Sequence, residues 1–115
     1  LWGWAQDRGG SSPYDLWTQL LQAGVTPLRA AQLESWMEDV WLSALGVLLP
    51  DRDNLWPGLP EQITLDPEQE QKRVHEALIR VLLALGRISP HLLILEDLHW
   101  ADEASLAALL KLVQR

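Results

Sequence analysis

The stretch Leu92-Leu93-Ile94-Leu95-Glu96-Asp97 is four apolar residues followed by two acids. Residues 91–95 show no polar alternation, the pattern expected of a strand covered on both faces by helices. A strand locked in a core and ending in carboxylates presents them where α/β proteins bind ligands, in the crevice beyond the strand's carboxyl end. One carboxylate can hold Mg²⁺, usually through water. Its neighbour on the other side of the pleat can orient or polarise an attacking water. On six residues alone this is a weak signal, because apolar strands ending in acids are common.

On the carboxyl-terminal side, Asp102 can cap a helix from Glu103 to the end of the chain, with Leu106, Leu109, Leu110 and Val113 facing inward. On the other side, Ser89-Pro90 is a break. Before it, Asp66-Pro67-Glu68 opens a helix with Val74, Leu78, Val81, Leu82 and Leu85 as its buried stripe, ended by Gly86. Glu68, Glu70 and Glu76 share that helix with Lys72, Arg73 and Arg80, which predicts a solvated, salt-bridged face. Residues 50–65 are rich in Pro, Asp and Gly around Trp56-Pro57-Gly58 and read as a surface loop. Thr26-Pro27 starts a helical period carried by apolar residues at 33, 36, 37, 40, 41, 44, 45 and 48. It forms either one long helix or two joined by a bend. Ser12 and Pro13 begin a helix to about Ala23, stopped by Gly24, with Leu16, Trp17, Leu20 and Leu21 on its apolar face. Residues 1–5 alternate bulky and small and read as a short strand.

The order strand, three or four helices, strand, helix predicts an α/β layer with two parallel strands, a helical insertion and a C-terminal helix. The 115 residues are enough for one small domain, and 48% apolar with 22% charged residues excludes whole-chain disorder. The net charge of −7 opposes direct nucleic-acid binding. Its excess is local: residues 1–50 carry −3, residues 51–76 carry −4, and residues 77–115 sum to zero. With no Cys, disulfides and thiolate zinc sites are impossible, which suits a cytoplasmic location. Apolar runs of about five or six residues fall far short of the roughly 18 needed to span a bilayer, and no basic, apolar-cored leader is present. Seven Trp stand beside one Tyr and no Phe; scattered as they are, they read as core anchors whose N–H groups need partners.

Context adds a family to the acidic strand. Residues 92–110, with Leu98-His99-Trp100-Ala101-Asp102 directly after the acids and a Leu-rich stretch beyond, closely resemble the Walker B segment of the AAA-type signal-transduction ATPases of the STAND class. The likeness is greatest to the ATPase modules of large LuxR-type transcriptional regulators and of cyclase- or kinase-linked proteins. Residues 3–21, with Gly3-Trp4-Ala5, a Gly/Ser-rich turn, Ser12-Pro13-Tyr14 and the helix after them, look like the family's second strand and its following helix. The helix before the acidic strand is similar in position and pattern to the one preceding Walker B. Residues 24–65 match only in helical character. The resemblance implies a P-loop NTPase layer of the ASCE type and an ATP- and Mg²⁺-dependent regulatory domain, with Glu96 at the Mg²⁺-side acid and Asp97 at the water-polarising acid, itself a possible second Mg²⁺ ligand. The order here is Glu-Asp, where the usual pattern is Asp-Glu or Asp-Asp.

The sequence holds no G-x-x-x-x-G-K-[ST], and its only lysines, Lys72 and Lys111, follow no glycine loop. Without those amides and that Lys the triphosphate has no cradle. Residues 1–115 are therefore expected to be a fragment of one such ATPase domain, from the second strand through the Walker B strand and its helix. The phosphate loop would then lie upstream and the lid downstream. Such a piece is expected to be inactive alone and to leave apolar surface for the rest of the parent domain, a protein partner or a second copy. His99 with Asp97 and Asp102 could hold a metal, but a turn His reads more simply as a polar surface or capping group. Trp100 reads as a plug under the last helix and Asp102 as its N-cap. The competing function is a non-enzymatic, Trp-rich helical interaction module; a glycine-rich loop within about 40 residues upstream of Leu1 would discriminate against it. A hydrolase using Glu96 and Asp97 alone lacks any second catalytic cluster.

Overall fold

In the computed structural model, the structure describes residues 2–4, 14–59, 64–89, 94–96 and 103–114. The elements are β1 (Trp2–Trp4), α1 (Asp15–Gly24), α2 (Pro27–Leu33), α3 (Asp39–Ala44) with a 3-10 turn at Leu45–Val47, α4 (Arg52–Leu55), α5 (Pro67–Ile88), β2 (Ile94–Glu96) and α6 (Glu103–Val113).

Helices make up most of the described residues, so the expected α/β layer is corrected. Strand is confined to β1 and β2, three residues each, paired in parallel with Trp2 opposite Ile94, Gly3 opposite Leu95 and Trp4 opposite Glu96. A two-stranded ribbon this short is not stable by itself and cannot organise the domain. The core is instead helix on helix: α5 packs against α2, α3 and α6, and α1 packs against β1 and α6. The described fold is mainly α. More helices separate the strands than the three or four expected, because the apolar period after Thr26 is broken at residues 34–38 and the Pro/Asp-rich segment holds one turn of helix.

The long α5 follows from its sequence. Asp66 Oδ1 accepts from the Gln69 N–H at 2.8 Å, and Pro67 occupies the first helical position. Its inner face buries Val74, Leu78, Val81 and Leu85. Outside, Glu68 pairs with Lys72 at 3.8 Å, Glu70 with Arg73, and Glu76 with Arg80 at 2.9 Å. Gly86 does not end the helix; it is exposed within the last turn, and α5 runs on to Ile88 before Ser89 turns extended. One Gly costs about 1 kcal/mol relative to Ala, too little to stop a helix held by tertiary contacts. Replacing Asp66 by Ala is expected to cost about 1 kcal/mol. In a thermal melt that is a fall of roughly 4 °C at this size; an unchanged melt would deny the cap its role.

Other departures have local causes. α1 begins at Asp15, not Pro13, because buried Tyr14 adopts a left-handed conformation (φ 67°) at its N-cap and makes no side-chain capping bond. The ring of Tyr14 meets His75 edge-on, with centroids 5.8 Å apart; burial of that ring offsets a backbone conformation that costs roughly 1–2 kcal/mol. Residues 50–59 are not a plain surface loop. Trp56 is buried, and its Nε1 donates to the Ala30 carbonyl at 2.8 Å. Gly58 (φ 83°) supplies the left-handed turn behind it. The face of α6 is also corrected: Ser105 and Ala108 are buried and Leu109 and Leu112 pack at the core's edge, whereas Leu106, Leu110 and Val113 are exposed. Small residues let α6 approach α1 and α5 closely, which turns its larger aliphatic side chains outward.

Candidate functional site

Glu96 is the last residue of β2, and in the parallel register it stands opposite Trp4, the last residue of β1. The two strands therefore end together, and the chain leaves both at the same edge. Asp97, the second acid, lies outside the described residues, as do His99, Trp100 and Asp102 with their expected roles.

The segment after Glu96 is bounded by fixed points. β2 is tied to β1, which packs on α1. From α1, Trp17 is fully buried and its Nε1 donates to the Ser105 carbonyl in the first turn of α6 at 3.0 Å. Thus one helix holds both the strand pair and the start of the helix that follows the acids. Sequence reading placed Trp17 on the apolar face of its helix and foresaw an N–H in need of a partner, but no local pattern points 88 residues ahead to Ser105.

The donor chemistry suits Mg²⁺. Adjacent carboxylates are hard oxygen ligands, and Mg²⁺ takes one or two of them while keeping several waters. Among the described residues no group of three or more His, Cys, Asp or Glu is gathered in a way that could hold a metal ion. For a triphosphate the fit is incomplete: Lys72 sits exposed in mid-surface on α5, facing Glu68, and Lys111 lies in the last turn of α6. Neither is placed by a glycine loop. No helix among the described residues is long and apolar enough to cross a membrane.

Comparison with known proteins gives one match. A family model described as AAA ATPase domain matches residues 1–115, the whole chain. No curated protein and no solved structure matches.

Proposed function

Since the chain belongs to the AAA ATPase domain family, we propose that it supplies the two Walker B carboxylates, Glu96 and Asp97, to the Mg·ATP site of a signal-transduction ATPase of the STAND class, in a transcription-regulator-type protein of the cytoplasm. The observation that supports the reading is that β2, parallel to β1, ends at Glu96, with Asp97 next in sequence and the start of α6 tied to α1 through Trp17.

The chemistry that Mg²⁺ would supply there is neutralisation of phosphate charge. Glu96 would hold the ion through water by its carboxylate. Asp97 orients the attacking water and accepts its proton. The phosphate loop and its lysine come from outside residues 1–115, and the rest of the parent domain covers the exposed face of α6.

Two results test this. In the full-length protein, Glu96→Gln should raise the Mg²⁺ concentration for half-maximal ATP turnover about tenfold, the scale of one lost charge-assisted contact; an unchanged Mg²⁺ dependence removes Glu96 from the metal's side. Calorimetric titration of Mg·ATP into residues 1–115 alone should show no micromolar binding. Micromolar affinity there would mean that these residues cradle the triphosphate themselves.

A further inference from the structure

Away from β2, the second half of α5 and residues 36–41 enclose a groove of about 230 Å³. Its walls are Trp36 and Trp41 on one side and Arg80, Leu83 and Arg87 on the other, with Met37 and Ala84 between them. The Arg80 guanidinium lies 4.6 Å from the Trp41 ring centre and that of Arg87 5.4 Å from the Trp36 ring centre. Arg80 and Arg87 are seven residues apart, two turns of helix, or about 10.5 Å. Trp36 and Leu83 are each about half exposed, at 52% and 53%. Single exposed apolar residues are ordinary; two large ones flanking one groove, each beside an arginine stacked on indole, are the composition of an interface centre.

We propose that this groove docks an acidic segment of a partner protein, one in which a carboxylate neighbours a large apolar side chain. Charge selects the occupant. Arg80 is committed, its Nε donating to Glu76 Oε1 at 2.9 Å, and Glu38 also lines the groove. Arg87 makes no ion pair among the described residues, and its stacking on Trp36 leaves the edge of the guanidinium available for a carboxylate. The groove therefore offers one ion-paired arginine and one without an ion pair among the described residues, on a chain of net charge −7. The apolar side chain lies between Trp36 and Leu83, and the carboxylate takes the Arg87 end. Size argues against a small molecule, whose pockets measure roughly 300–1,000 Å³. A nucleic acid needs several phosphate contacts, and one uncommitted guanidinium on an acidic chain does not provide them.

The test is an array of 12-residue peptides in which a Leu, Phe or Trp anchor is flanked at each position by Glu, Lys or Gln, probed with the full-length protein. Glu-flanked members should be retained over Lys- and Gln-flanked ones. Arg87→Gln should weaken that retention about tenfold, the worth of one charge-assisted hydrogen bond, and Arg87→Lys should restore part of it. Leu83→Ala, at an exposed position, should weaken it too without changing the thermal melt. Retention of Lys- or Gln-flanked members as strong as Glu-flanked ones, loss of retention to competing (dT)12, no effect of Arg87→Gln, or no retained member would each overturn the proposal.

Discussion

Asp97→Asn in the full-length protein should lower single-turnover ATP hydrolysis by about 100-fold or more, while ATP affinity stays within about threefold. The carboxamide keeps the shape of the side chain and loses the basic oxygen that accepts the proton of the attacking water. General-base catalysis typically contributes 10²–10⁴-fold, which sets the expected scale. Under the proposed assignment substrate binding would rest on the phosphate loop and not on this carboxylate, so the loss should fall on the rate. The Glu-Asp order makes the pair of single variants decisive. Glu is one methylene longer than Asp and reaches further from the end of β2, so an exchange of duties would show as a rate loss in Glu96→Gln and a shifted Mg²⁺ requirement in Asp97→Asn. An unchanged single-turnover rate in Asp97→Asn would sink the assigned role.

Trp17→Ala should cost about 3–5 kcal/mol of stability, the range for emptying a fully buried large aromatic site, and should pull the urea midpoint down accordingly. Two losses combine at this position. The indole fills the junction of α1 with α6, and its Nε1 bond to Ser105 is buried. Trp17→Phe separates them, because it keeps most of the volume and removes only the N–H. It should cost about 1 kcal/mol, since the Ser105 carbonyl retains its other lone pair for the helix. Equal losses in the two variants would show the bond, not the packing, to dominate; a loss under about 1 kcal/mol in Trp17→Ala would remove Trp17 from the cooperative core. Small domains are stable by only about 5–15 kcal/mol, so the alanine variant should sit near the edge of folding.

How far the chain could be read in advance differs element by element. Asp66-Pro67 and the stripe from Val74 to Leu85 specify α5 because capping, proline and periodicity agree over a long segment. Thr26 likewise caps α2, accepting from the Arg29 N–H at 3.3 Å. The dominance of helix over sheet was not legible: the alternating residues 1–5 and the apolar run 91–95 read as strands, among the described residues each contributes three paired positions, and helix packing supplies the core. Nor was the inward face of α6, since periodicity ranks Leu above Ser and Ala, whereas close approach to α1 selects the small residues. The break at residues 34–38 shifts the helical phase and leaves Trp36 and Val40 outside, though they keep the same period as the buried Leu33 and Met37. For the candidate site, the place of Glu96 at the end of a strand could be read from its neighbours in sequence. The strut from Trp17 could not, because its partner is a backbone carbonyl, which every residue offers alike.

That strut also sets an order of events at the ribosome. Trp17 leaves the exit tunnel 88 residues before Ser105, and at about 5–20 residues per second its indole waits on the order of 10 s for the carbonyl that completes its burial. β1 waits as long for β2. During that interval α1, α2, α3 and α5 can pack among themselves, while the surface of α1 that will receive α6 stays open to water and to any chaperone that reads exposed tryptophan. β2 and α6 are thus seated only after the chain of α1 to α5 has emerged and can already have packed.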